Sequence, residues 1–449
     1  MRQALLNLIH TPLHAAPLAS FRILFGAVAF FSTLRFLLLG WVDLHFVNTQ
    51  FQFKYYGFEW VQLLPPTTMF AIHYIMLLAA LGIMLGAWYR ISAVLFFLCF
   101  TYCELIDLTY YLNHYYFVSI ISLLMCIVPA HRYFSIDTWR NPVLHQENVP
   151  AWAINIFKFQ LICVYFFAGI AKINYDWLIS ALPLRIWLPA NDNMPLLGPL
   201  FRYDTTAYIF SWAGMLFDIT IGIWLLWHRT RLWAWLVVVF FHVITGWMFQ
   251  IGVFPLVMIM CTLLFFSTNF HQRFLHILRR FIPQKFDKHY IANQPIHPVK
   301  TSKITFAFLS IWIAFQVVFP LRCYAYPGNM FWTEQGYRFG WRVMLFEKAG
   351  TATFYVRDEN TGKEGVVDNN EFLNPHQEKQ MAMQPDMILQ YAQFLKKYYE
   401  QQGLAVRRVR AEVYVTFNAR PSQLLIDDNV NLLDLQDSWA HKNWIKPLE

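Results

Sequence analysis

The feature that most constrains this chain is the recurrence of long apolar windows through its first 320 residues. A helix rises about 1.5 Å per residue, so roughly 20 apolar residues cross a ~30 Å hydrocarbon core. Such windows lie near residues 20–40, 68–87, 91–105, 114–130, 152–171, 207–227, 231–249, 253–269 and 303–320. The third and fourth are short for full spans; they tilt, or run on through the aromatic stretch Tyr110 to Phe117. Only 14% of the residues are charged, against about a quarter in a water-soluble domain, which argues against disordered and ordinary soluble folds. The expected architecture is an α-helical polytopic membrane bundle of about nine helices over residues 1–320, followed by an extracytoplasmic mixed α+β domain over residues 321–449.

The chain carries a net charge of +8, and its distribution decides what the excess means. Residues 1–320 hold 20 basic and 11 acidic residues, whereas residues 321–449 hold 15 and 16. The positive excess therefore sits in the apolar part, as expected where Lys and Arg in cytoplasmic loops set topology, and no aromatic-interleaved basic run points to nucleic acid. With nine spans and a cytoplasmic amino terminus, the inner segments hold Arg2, Arg90, Arg132, Arg140, Arg229, Arg231, Arg273, Arg279, Arg280, Lys285, Lys288, Lys300 and Lys303. The outer loops hold mainly Lys54, Arg185 and Arg202. This asymmetry predicts a carboxy-terminal domain on the outside. The first span is expected to be retained, because no small-residue cleavage site closes an apolar core near the amino terminus.

Residues 321–449 change character. Trp341 to Glu347 and Thr351 to Arg357 read as strands, Asp358 to Gly362 as a turn, and Gly365 to Val367 as a third short strand. From Asp386, the apolar positions Ile388, Leu389, Ala392, Leu395 and Tyr399 follow helical spacing, with Asp386 as N-cap and Gly403 as stop. Glu412 to Phe417 alternates as a half-buried strand. Cys99, Cys103, Cys126, Cys163 and Cys261 fall in expected spans and only Cys323 lies beyond them, so a disulfide framework is not expected.

An ionisable side chain at the centre of a span costs ~2.5–3.5 kcal/mol on insertion scales, so each one is near an end, paired or functional. On the nine-span topology, His114 begins the fourth span, Lys172 ends the fifth and His242 lies two thirds along the seventh, all at one depth near the outer face. Small residues at Ala168 and Gly169 allow close helix packing just before Lys172. Lys172 reads either as a snorkelling lysine that reaches the headgroups or as a desolvated amine serving as general base for a weakly acidic hydroxyl. His114, after Asn113, reads either as a satisfied interfacial histidine or as a group that orients a phenol or quinone oxygen. Asp218 in the sixth span offsets Lys172 or Arg22, or ties two helices together. His10 and His14 have i, i+4 spacing, but Pro12 intervenes and His114, His131, His145 and His242 show no ligand spacing, so no metal is expected. Phosphate loops, nucleophile elbows and paired-cysteine motifs are not found.

Several segments together resemble the vitamin K-dependent gamma-glutamyl carboxylase family, whose membrane part is known as the horizontally transferred transmembrane domain. They are Pro17 to Gly26, Lys54 to Val61, the Asn113-His114 pair, Val164 to Lys172, Phe241-His242 and Phe249 to Phe254. The resemblance continues through Tyr326 to Asn329, Trp332 to Leu345 and Trp444 to Leu448, and so covers nearly the whole chain. It implies that Lys172 deprotonates vitamin K hydroquinone and that His114 supports the oxygenation step. Asn113 and His242 would line the same region, and Asp218 joins them as a residue expected at the cofactor.

The implied enzyme is a carbon-carbon ligase or lyase that couples oxidation of the hydroquinone by O2, giving vitamin K epoxide, to removal of a γ proton from a peptide glutamate and capture of CO2. No ordinary side-chain base matches so weak a carbon acid, so oxygenation has to generate a stronger alkoxide in a water-excluded site. The partners implied are a glutamate-containing peptide or protein, membrane lipid and the quinone. Vertebrate members carry a disulfide between the membrane part and the external domain, and this chain lacks the external cysteine pair for it. Two alternatives stay open: a quinone epoxidase without glutamate carboxylation, and a non-enzymatic membrane transporter in which Lys172 and the histidines line a passage.

Overall fold

The computed structural model describes residues 10–249, 251–281 and 302–449. Of the basic residues expected inside, Arg2, Lys285, Lys288 and Lys300 lie outside the described residues. A short strand β1 (Pro12–His14) pairs antiparallel with β2 (Asn148–Pro150), which fastens the start of the bundle beside the chain entering its fifth helix. The helices then follow as α1 (Ala16–Leu38), α2 (Pro66–Leu85), α3 (Tyr89–Ile106), α4 (Asn113–Ile127), α5 (Trp152–Ala171), α6 (Asp204–Leu226) and α7 (Arg231–Phe249). After them come α8 (Phe254–Thr262), α9 (Thr268–Arg279) and α10 (Lys303–Val318).

Among the described residues, seven helices are long and apolar enough to cross a membrane: α1, α2, α3, α5, α6, α7, and α10 with its continuation to Ala325. The other two expected windows fold differently. α4 has 15 residues, a length of about 22 Å that falls short of a straight crossing. The window at 253–269 is broken, because α8 and the turn Leu263–Phe265 bend by 118° into α9. Ser267 caps the new helix by accepting from the Phe270 amide, and Leu275 of α9 packs on Ala16 and Ala19 at the start of α1. α9 therefore packs across the end of the bundle, and α8 with α9 makes a broken span or a re-entrant loop in place of a straight one.

Burial shows which helix is central. The apolar window of α5 is 67% buried, against 17% for α10 at the periphery. At the opposite end from the site described below, the fully buried Arg22 donates from Nη1 to the Ile83 and Met84 carbonyls (2.9 Å each) and from Nη2 to the Phe134 carbonyl (2.5 Å). It thereby satisfies the last carbonyls of α2, which Gly86 ends at φ +65°.

The carboxy-terminal part contains β3 (Lys348–Asp358), β4 (Glu364–Val366), α11 (Pro375–Met381), α12 (Pro385–Gln401), β5 (Val406–Phe417) and β6 (Gln423–Leu424). The strands form an antiparallel sheet of order β4-β3-β5-β6. Phe354, Val356, Val409, Ala411, Val413 and Val415 form a core with Ile388, Tyr391, Ala392 and Leu395 of α12. The helix from residue 385, the stop at Gly403 and the turn before Lys363 fall where the spacing places them.

Two expectations are corrected. Trp341 to Glu347 is not a strand: Phe339, Trp341 and Met344 take positive φ (59°, 58° and 50°), which breaks the alternation. The segment is instead pressed on the bundle, with Trp341 stacked on Tyr116 at 4.8 Å. Asp386 is not the N-cap of α12; Gln384 holds that position, and Asp386 pairs with Arg338.

Candidate active site

Helices α5 and α6 approach each other at Gly169, where a Cβ would lie 2.8 Å from the Ile219 backbone nitrogen. That proximity, which only glycine permits, brings the C-cap residue of α5 against the middle of α6. Lys172 Nζ donates to Asp218 Oδ2 at 2.7 Å and to the Ala168 carbonyl at 3.3 Å, and lies 5.3 Å from the centre of the Trp177 ring. The two side chains are 7% and 5% exposed. Between the two partners open to Asp218, the fold brings Lys172 to it; Arg22 is committed elsewhere.

This ion pair stands in the wall of a cavity of about 330 Å³ enclosed by α5, α6, α7 and α8 and closed in part by Val343 and Met344. Its lining is largely aromatic and aliphatic, including Phe217, Phe241, Phe254 and Met258. In such surroundings an unpaired charge is costly, and each member of the pair compensates the other.

A second polar contact lies on the same wall. The Tyr165 hydroxyl and His242 Nε2 are 2.8 Å apart, and His242 Nδ1 is buried without a hydrogen-bond partner among the described residues. Tyr165 precedes Lys172 by seven residues, two helical turns, so both project from one face of α5.

The remaining expected residues are placed differently. His114 stacks on Phe254 (5.3 Å between centroids), and the same ring meets His242 edge-on at 5.7 Å. His114 thus stands behind the cavity wall, one aromatic layer from His242. Asn113 turns away: its Nδ2 donates to the Arg342 carbonyl at 2.7 Å and its Oδ1 accepts from the Tyr111 hydroxyl at 3.1 Å. Asn113 therefore holds the segment that carries Val343 and Met344 over the cavity. His14 takes the Ala16 amide on Nδ1 and faces Gln272 through Nε2. Among the described residues, no three His, Cys, Asp or Glu side chains converge so as to hold a metal ion.

Tyr165 and Trp177 escaped the sequence reading. The available signal was the seven-residue offset between Tyr165 and Lys172, but an aromatic residue in an apolar helix ordinarily marks packing. The arrangement can bind a flat, largely apolar molecule and exchange a proton with it through a lysine-carboxylate pair, away from bulk water.

Comparison with known families agrees with this architecture. Residues 10–270 match the HTTM domain, and residues 301–449 match the family described as vitamin K-dependent gamma-carboxylase, lumenal domain. No solved structure matches the chain. A bundle with seven membrane-length helices among the described residues, followed by a lumenal-type domain that reaches back over a buried lysine-aspartate pair, makes this a multi-pass membrane protein; the chain belongs to the vitamin K-dependent gamma-carboxylase family.

Proposed function

We propose that this protein couples O2-dependent epoxidation of vitamin K hydroquinone to carboxylation of glutamate in a peptide or protein substrate, at the cavity that holds Lys172. The observation that carries the reading is the buried Lys172–Asp218 pair at the wall of an apolar chamber that borders the external segment Val343-Met344. The residues fit such a group. Phe217, Phe241 and Phe254 offer flat apolar faces, and the unpartnered His242 Nδ1 offers a hydrogen-bonding site to an aromatic hydroxyl. When bound, the hydroquinone would be the reductant whose oxidation by O2 supplies the driving force that no side-chain base has, one oxygen atom ending in the epoxide and the other in water.

The chain's own residues then do four things. Asp218 Oδ2, 2.7 Å from Nζ, takes the proton that Lys172 donates to it, and the neutral amine so formed takes the proton of the hydroxyl in its place. Tyr165 fixes the His242 ring through Nε2 and leaves Nδ1 to orient a hydroxyl. His114 supports the oxygenation step from behind Phe254. Asn113 positions the Arg342–Met344 segment, so that the external domain of residues 321–449 closes the chamber against water. The basic residues near Arg90, Arg132, Arg140, Arg229 and Arg231 support a cytoplasmic amino terminus and an extracytoplasmic carboxy-terminal domain.

The test is an assay in nanodiscs with reduced vitamin K, O2, labelled bicarbonate and a glutamyl peptide, following epoxide and fixed label together. Both products are expected, and Lys172→Ala is expected to lose both. Epoxide without label would leave an oxygenase lacking carboxylation, and neither product from folded protein would overturn the reading.

A further inference from the structure

The cavity is not sealed on its membrane-facing side. Helices α6 and α7 are joined by residues 227–230, and the Phe217 and Phe241 rings stack between them at 4.3 Å. Four residues of the two helices both line the cavity and are exposed on the outer surface of the bundle: Ile209 and Ala213 of α6, Val237 and Phe240 of α7. Ile209 and Phe240 are 61% and 64% exposed, on helices apolar enough to cross a membrane, so that surface faces acyl chains. Ala213 contributes only a methyl group to this rim, and behind it Gly214 leaves open space, where an added Cβ would meet its first neighbour only at 4.0 Å, the Trp177 ring.

We infer that the gap between α6 and α7 is a lateral portal in which the apolar tail of a lipid quinol lies, running from the chamber into the bilayer. The inference rests on the reading of the cavity as the quinol site. A chamber of about 330 Å³ suits a bicyclic head, whereas a long isoprenoid chain needs additional apolar volume that the enclosed space does not provide. An opening lined by apolar side chains and continuous with the hydrocarbon region supplies it and costs no hydration. The rim residues are accordingly specificity determinants: they distinguish quinols by their tails, while the polar cluster at Lys172, Asp218 and His242 addresses the head.

The test measures binding of phylloquinone, with its long tail, and menadione, the same ring without one, to full-length protein in nanodiscs. Ala213→Trp and Ile209→Trp fill the rim; Leu226→Trp, exposed on a different face of α6 and outside the cavity lining, controls for a bulky residue on the same helix. The rim variants are expected to weaken phylloquinone by at least about tenfold, the loss when two tail methylenes go unpacked, and to leave menadione unchanged. Equal weakening of both quinones would put the obstruction in the head chamber and overturn the portal. Unchanged phylloquinone binding, or the same tail-specific loss in Leu226→Trp, would overturn it as well. If the wild-type protein binds neither quinone, the cavity reading itself fails and the portal falls with it.

Discussion

Lys172 and Asp218 carry two burdens at once, and single substitutions confuse them. Removing one partner of a buried ion pair leaves the other charge without compensation, a destabilisation of about 3–5 kcal/mol, whereas replacing both by apolar residues of similar size is often neutral. Lys172→Met and Asp218→Leu are each expected to lower the melting temperature in detergent, and the double variant to restore it. Turnover is expected to stay lost in all three, because proton exchange needs the pair itself; epoxide formation by the stable double variant would remove Lys172 from the chemistry. These residues were legible in the sequence because a charge inside an apolar span is energetically conspicuous. Tyr165 was not, since its hydroxyl acquires meaning only from His242, 77 positions away and on another helix.

At the scale of elements, the site depends on how closely two helices approach. A side chain at position 169 would meet both the Cγ1 of Ile219, at 2.6 Å, and its backbone nitrogen. Backbone cannot swing aside as a flexible side chain can, so Gly169→Val is expected to push α6 from α5, an overpacking cost of about 1–3 kcal/mol. The expected signature is a fall in epoxide turnover with Lys172 and Asp218 both intact; normal turnover would show that the pair tolerates the displacement. The small residues before Lys172 made that approach legible, and seven of the nine apolar windows became membrane-length helices. The bend after α8 was hidden because no proline or glycine marks it; Ser267, which caps α9, falls inside the apolar window taken to residue 269, and Leu275 docks on α1 beyond the reach of any local pattern. Trp341 to Glu347 misled for a related reason: its β-prone composition is overridden by tertiary docking onto the bundle.

Across the whole molecule, polar contacts fasten the two parts together. Gln377 Nε2 donates to Asp107 (2.7 Å) and to the Phe51 carbonyl (2.8 Å), and the Gln390 amide brackets the backbone of Lys54. Asp176, just beyond α5, receives both Nη atoms of Arg420 (2.8 and 2.7 Å) and the Asn418 amide (2.8 Å). Its partner Arg420 lies 244 positions away, so no local pattern could reveal the contact. Burial alone would push the Asp176 carboxyl up, but the hydrogen bonds from Arg420 and Asn418 and the guanidinium charge hold it below its ordinary value. A carboxyl whose value is depressed in the folded state contributes stability that is complete above its ordinary value, near pH 4, and is lost as the pH falls through the depressed one. The melting temperature of wild type minus that of Asp176→Asn is therefore expected to be positive at neutral pH and to shrink only in acid below about pH 4. Other carboxylates titrate in both proteins and largely cancel in the difference. A difference that instead disappeared between pH 5 and 7 would assign the attachment to another titrating group, and no difference at any pH would mean that the glutamine contacts hold the domain without Asp176.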